Sequence, residues 1–124
     1  MSNNGGQEGK GLEAPISMER LHTMSAGKPA FLKRLVLIFE TDTTKRLQKI
    51  QDALGQEGFS KISDEAHTLK GAFANMGASP LNKVALNMEK AAKAGDRKII
   101  EDSLGEMKQE FAKALDYLKQ NIPT

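Results

Sequence analysis

The chain has 124 residues, and its 18 Lys and Arg against 16 Asp and Glu give a formal net charge of +2 at pH 7. This length fits a single domain. The near balance of charge and the aromatic content of only 5% make nucleic acid a poor candidate partner. The absence of cysteine excludes disulfide frameworks, thiolate metal sites and cysteine nucleophiles.

Residues 1–15 are rich in glycine and poor in large apolar side chains. Such a stretch cannot offset the entropy lost on ordering, so we expect a flexible N-terminal tail followed by one domain over residues 16–124. The longest apolar run, residues 35–39, is far shorter than the roughly 20 residues that a membrane span needs. With no secretory signal pattern either, we expect a cytoplasmic protein without membrane contacts.

From Ile16 onward the apolar residues recur at helical spacing, and no segment alternates with period two. The pattern predicts helices over 17–25, 29–54, from Gly58 to Gly77, from an N-cap at Ser79 to Gly95, and from an N-cap at Asp96 to Ile122. Short loops force consecutive helices to run antiparallel. We therefore predict an all-α fold, an antiparallel up-and-down four-helix bundle with a short N-terminal capping helix.

The third predicted helix carries a polar residue, His67, outside its apolar stripe. The stripe of this helix centres on Leu69 and Phe73, and His67 lies roughly 140° away from it on a helical wheel of about 100° per residue. Gly71 shares the surface of His67, although glycine within a helix costs about 1 kcal/mol relative to alanine. Open space there, with Lys70 nearby, suits a phosphoryl group on a nucleophilic imidazole. The alternative is an ordinary surface histidine beside a tolerated glycine.

Residues 66–77 read AHTLKGAFANMG and resemble the signature of histidine-containing phosphotransfer (HPt) domains. The positions that match in order and spacing are His67, Leu69, Lys70, Gly71 and Gly77. The positions that depart from the family pattern are Ala72, Phe73 and Met76. Because Phe73 lies on the core stripe, its departure should alter packing and leave the phosphoryl site unchanged.

The resemblance implies a role in a phosphorelay. His67 would accept a phosphoryl group and pass it on, Lys70 would help neutralise the phosphoryl oxygens, and Gly71 would leave room for them. The implied partners are the receiver domains of a response regulator and of a hybrid sensor histidine kinase. The receiver supplies the phosphorylated aspartate and the Mg²⁺, so this chain would need no cofactor or metal of its own. It would be a phosphocarrier without kinase activity.

A docking surface is expected on the second predicted helix. Phe31, Val36, Leu37 and Ile38 lie outside or beside its apolar stripe. We expect about two of the four to pack under the first helix, and the remainder to form an exposed patch for the receiver. One bundle already buries its stripes, so we expect a monomer.

Two other functions are compatible with parts of the sequence. Glu19-x-x-His22 and Asp64-x-x-His67 have the spacing of metal-binding pairs in helical bundles. His67 faces away from the core, however, and the other helices are expected to place no acidic residue inside their stripes. A helical adaptor without chemistry would explain the bundle and its exposed apolar residues. It would leave Gly71 beside Lys70 unexplained.

Overall fold

A computed structural model describes residues 13–122. Within that range the helices are α1 (Met18–Met24), α2 (Pro29–Gly55), α3 (Phe59–Asn75), α4 (Ser79–Ala94) and α5 (Arg97–Asn121), and no strand occurs. Consecutive helices pack against one another and α2 also contacts α5, which closes a four-helix bundle preceded by the short α1. The predicted fold class is confirmed. Residues 1–12 of the predicted tail lie outside the described residues, so the tail and the boundary at residue 16 stay predictions.

Three phenylalanines from three helices form the centre of the core. The ring of Phe39 on α2 meets Phe73 of α3 and Phe111 of α5 edge to face, with centroids 6.2 and 5.5 Å apart. Aromatic pairs prefer this arrangement because the positive ring edge meets the negative ring face. Phe73 is fully buried, and its position sets the rotation of α3, whose opposite face is turned to solvent.

The helix ends follow the predicted capping with one exception. Asp96 caps α5, since its Oδ1 accepts the N–H of Ile99 at 3.2 Å. The prediction that Ser79 is an N-cap is wrong, because the non-helical residue before α4 is Ala78 and Ser79 is already helical. Ala78 is fully buried and donates its N–H to the carbonyl of Phe73 at 2.8 Å, so the tight α3–α4 turn ends one residue earlier.

The start of α1 is attached to the turn between α3 and α4. Ser17 caps α1 by accepting the N–H of Arg20, and its own N–H donates to the carbonyl of Met76. Gly77 has φ +67°, and a Cβ built there would lie 2.5 Å from the Cβ of Ser17. Only glycine combines that backbone conformation with that closeness. None of the described helices is long and apolar enough to span a bilayer.

Candidate functional site

The outer face of α3 presents His67 to solvent. The opposite face buries Ala66, Leu69 and Phe73 completely, whereas the side chain of His67 is 67% exposed. The predicted placement of this histidine on the solvent side is therefore confirmed. Its ring leans toward α4, the neighbouring helix.

A buried carboxylate of α4, Glu89, organises the site. Its Oε2 lies 2.9 Å from Nδ1 of His67, and its Oε1 accepts a hydrogen bond from Nζ of Lys70 at 2.7 Å. A third contact comes from its own helix, where Nζ of Lys93 lies 3.4 Å from Oε2. The Glu89 side chain is only 7% exposed. Two helices thus place one carboxylate among two lysines and a histidine.

The electrostatics of this cluster keep Glu89 ionised. The hydrogen bond from Lys70 is the main cause that lowers its pKa to about 2, against the opposing effect of burial; the His67 hydrogen bond and the charges of Lys70 and Lys93 lower it further. An ionised carboxylate only accepts hydrogen bonds. The neutral His67 ring must therefore carry its hydrogen on Nδ1, a tautomer assigned from this contact. The lone pair is then on Nε2, at the opposite edge of the ring.

The surface beside His67 is open at Gly71. A Cβ added to this glycine would meet no atom within 4 Å, so packing does not require glycine there. One residue earlier, the carbonyl of Lys70 accepts a hydrogen bond from Nδ2 of Asn82 at 2.9 Å. Asn82 belongs to α4 and thereby fixes α4 against the turn of α3 that carries Lys70.

The structure brings His67 and Lys70 together through a residue that sequence reasoning missed. Neither Glu89 nor Lys93 was predicted, and the expectation that the other helices place no acidic residue inside their stripes is wrong for α4, where Glu89 is buried. Glu89 and Glu65 are both buried, and each is paired with a cation, Glu65 with Arg46 at 2.8 Å. A signal was present, since Glu89 follows Ala85 by four residues and therefore lies at the edge of the buried face.

The metal-binding alternative gains no support from the described residues. No group of three or more His, Cys, Asp or Glu within residues 13–122 is placed to hold a metal ion. His22 lies exposed on α1, whereas His67 lies on α3. The expectation that this chain needs no metal of its own stays a prediction.

Three large apolar side chains on α2 are exposed, and we call Phe31, Leu37 and Ile38 the α2 patch. Their exposed fractions are 51%, 63% and 56%, whereas Val36 packs against the core. The expectation that about two of the four would be covered is wrong, because Val36 alone among them packs against the core. Residues 20–39, which contain the patch, include four Lys and Arg and no acidic residue.

The four-helix bundle carries an outward-facing histidine on α3, with two lysines and an open surface beside it. The sequence model of the Hpt domain matches residues 34–121, and the chain belongs to this family. The resemblance carried by residues 66–77 is thus confirmed, and the family role is histidine phosphotransfer in a phosphorelay.

The solved structure of histidine-containing phosphotransfer protein B (HptB) from Pseudomonas aeruginosa PAO1 has the same fold. It aligns with a TM-score of 0.79 and 24% sequence identity over 87% of this chain and 94% of that chain. No curated protein sequence matches the chain significantly.

Proposed function

We propose that this protein is a phosphorelay intermediate. His67 accepts a phosphoryl group from the phosphorylated aspartate of one receiver domain and passes it to another receiver domain. The protein is a phosphocarrier without kinase activity of its own. The observation that carries the proposal is the 2.9 Å contact between Nδ1 of His67 and the buried Glu89, which leaves Nε2 as the nucleophilic nitrogen.

The transfer step needs few groups from this chain. The Nε2 lone pair attacks the phosphorus of the aspartyl phosphate, and the P–O bond to the aspartate breaks with its electron pair leaving on the carboxylate. The main requirement for catalysis is stabilisation of the negative charge on the phosphoryl oxygens in the transition state. Lys70 supplies one positive charge from this chain, and the receiver supplies the Mg²⁺.

Lys70 can serve the phosphoryl group and Glu89 together. An ammonium has three N–H donors, and the hydrogen bond to Glu89 uses one of them. The side chain is 29% exposed, so the remaining donors can reach solvent or a ligand. Gly71 leaves the approach to this side of His67 open.

The partners proposed are the receiver domains of a response regulator and of a hybrid sensor histidine kinase. The α2 patch is the candidate docking surface, because apolar area this exposed favours a protein contact. Ile38, Asp42 and Arg46 are spaced four residues apart and therefore lie along one side of α2. Arg46 donates a hydrogen bond to Glu65 of α3, so this side of α2, which includes Ile38, faces α3. We propose a cytoplasmic monomer that binds neither nucleic acid nor membranes.

Chemical phosphorylation tests the proposal without a partner. Wild type, His67→Gln and His22→Gln are treated with phosphoramidate and compared by intact mass and ³¹P NMR. We expect one acid-labile phosphoryl group on wild type and on His22→Gln, and none on His67→Gln. A wild type that stays unmodified, or a label that persists in His67→Gln, would contradict the role of His67. Transfer in both directions with a purified receiver and Mg²⁺ then tests the relay.

A further inference from the structure

We propose that the receiver surface that binds the α2 patch carries carboxylates, and that Arg34 of α2 pairs with one of them. This inference rests on the proposed function and names the chemistry of the partner. It makes Arg34 a docking residue that selects acidic receiver surfaces and takes no part in the chemistry at His67.

Two exposed cations lie within the α2 patch. Arg34 follows Phe31 by three residues and precedes Leu37 by three, so its side chain shares a surface with both. It also lies one turn before Ile38. The second cation is Lys28, whose Nζ lies over the ring of Phe31, 5.3 Å from the ring centroid. A partner that buries the apolar side chains of the patch therefore also covers these two positive charges.

The bundle itself does not neutralise these cations. Neither Lys28 nor Arg34 forms an ion pair within the described part of the chain. The next carboxylates along α2 are Glu40, six residues after Arg34, and Asp42, which is bound by Arg46 at 3.0 Å. Lys28 is the N-cap of α2 and makes no side-chain cap hydrogen bond, and a positive charge at this end of a helix is destabilising. The stability of α2 therefore does not account for Lys28.

An acidic protein surface is the occupant that these charges fit. Removal of a guanidinium from water is costly unless its charge is paired. A carboxylate provides the matching partner, because it accepts two parallel hydrogen bonds from the planar guanidinium. A second copy of this chain would instead bring the same cations to the interface, where like charges oppose binding. The charges therefore favour an acidic partner over self-association through the patch.

The α2 patch and His67 are close enough for one partner to cover both. The rings of Phe39 and Phe73 are in contact, so the part of α2 that carries Ile38 is level with the part of α3 around Phe73. Phe73 follows His67 by six residues, which is about 9 Å along the helix, whereas a small domain is about 30 Å across. Ile38 also lies on the side of α2 that faces α3. A receiver that presents its aspartate to His67 therefore reaches the patch as well.

The test measures the dissociation constant of a purified receiver domain that exchanges a phosphoryl group with His67. Wild type, Arg34→Gln and Arg34→Glu are compared at about 0.1 and 1 M NaCl, where the Debye length is about 10 and 3 Å. The matched control is Lys83→Glu, which makes the same change of charge as Arg34→Glu. Lys83 is an exposed lysine of α4 that lines a groove with Tyr117 of α5, away from the α2 patch. Phosphoramidate labelling examines His67 in each protein without a receiver.

We expect Arg34→Gln to weaken receiver binding about tenfold at the lower salt concentration, Arg34→Glu to weaken it further, and Lys83→Glu to leave it unchanged. The difference between wild type and Arg34→Glu should shrink at the higher salt concentration, and one Asp or Glu to Lys substitution on the receiver should restore binding to Arg34→Glu. Equal affinities of wild type and Arg34→Glu would overturn the inference. So would binding of wild type to vesicles of anionic lipid that is lost in Arg34→Glu while receiver binding is unchanged, because the cations would then serve a membrane. Absence of a phosphoryl group on His67 of wild type would instead refute the proposed function.

Discussion

Nζ of Lys70 lies 2.7 Å from Oε1 of Glu89, so the cation proposed to meet the phosphoryl oxygens is already held by a carboxylate of the neighbouring helix. The contact keeps the lysine side chain beside His67, because both residues bind the same carboxylate group. An arriving phosphoryl group therefore finds the ammonium already positioned.

Removal of the Lys70 ammonium should slow transfer strongly. We expect Lys70→Ala to reduce the rate of transfer from a phosphorylated receiver about 10- to 100-fold, since a hydrogen bond to a charged group contributes about 1.5–3 kcal/mol. The rate is measured by rapid quench at saturating receiver. Lys83→Ala is the control, because Lys83 is an exposed lysine on α4 whose ion pair within residues 13–122 is with Glu13, at 3.8 Å. Equal rates in both variants would exclude Lys70 from the phosphoryl site.

The same substitution at Gly71 and at Gly105 tests whether a partner needs the open surface beside His67. Both glycines lie within a helix, and an added Cβ meets no atom within 4 Å at either position. Replacing either by glutamine should stabilise its helix by up to about 1 kcal/mol. We expect Gly71→Gln to fold normally and to lose most transfer from the receiver, and Gly105→Gln to retain it. Full transfer by Gly71→Gln would show that the open surface is not used.

The fold could be predicted because its signals are local. Apolar spacing, the glycines near the helix ends and the Asp96 cap each act within a few residues, and the helices they predict are present. His67 could be placed on the surface for the same reason. The contact between His67 and Glu89 joins residues 22 apart in sequence, and its formation depends on how α3 and α4 pack, which helical spacing alone does not specify.

The wrong predictions also arise from packing between helices. Ser79 has the chemistry of an N-cap, yet burial of Ala78 moves the start of α4. The acidic residues within the buried face were missed because a buried glutamate is acceptable only with cationic partners. For Glu89 those partners are mainly supplied by another helix. The packing of neighbouring helices therefore determines where a helix begins and which acidic residues are buried, and the apolar pattern of a single helix does not specify these features.

Gly77 should be the least replaceable glycine of the described helix ends. Gly77 and Gly95 have the same φ of +67°, but a Cβ at Gly95 would meet only Phe59 ring atoms at 3.9 Å. We expect Gly95→Ala to cost about 1–2 kcal/mol for the left-handed backbone alone. Gly77→Ala should cost more, because its Cβ would also displace Ser17. Urea unfolding of both variants measures the difference in their free energies of unfolding. An equal decrease in both would show that the start of α1 can move away from the new Cβ at no cost in stability.

Ionised Glu89 should make the protein sensitive to acid. Its folded-state pKa is lowered from 4.5 to about 2, so the unfolded chain takes up the proton first as the pH falls. The stability contributed by the carboxylate is therefore complete above about pH 4.5 and is lost progressively toward pH 2, a loss of about 1–3 kcal/mol. Glu89→Gln should be less stable at neutral pH and show a smaller decline over that window. Parallel stability curves for the two proteins would contradict the assignment.

Substitutions in the α2 patch should weaken docking of the receiver without affecting the chemical reactivity of His67. Leu37 is 63% exposed, so Leu37→Asp should leave helicity and phosphoramidate labelling of His67 unchanged. A buried charge at a protein interface is costly, and we expect transfer from the receiver to fall about tenfold or more at subsaturating concentration, where tenfold corresponds to about 1.4 kcal/mol of binding energy. Ile38→Asp should have at least as large an effect, because Ile38 lies on the side of α2 toward α3. Ile99→Asp is the control, since Ile99 is 40% exposed in the first turn of α5, where an acidic residue suits the helix dipole. Unchanged transfer in both α2 variants would remove this helix from the docking surface while leaving the role of His67 intact.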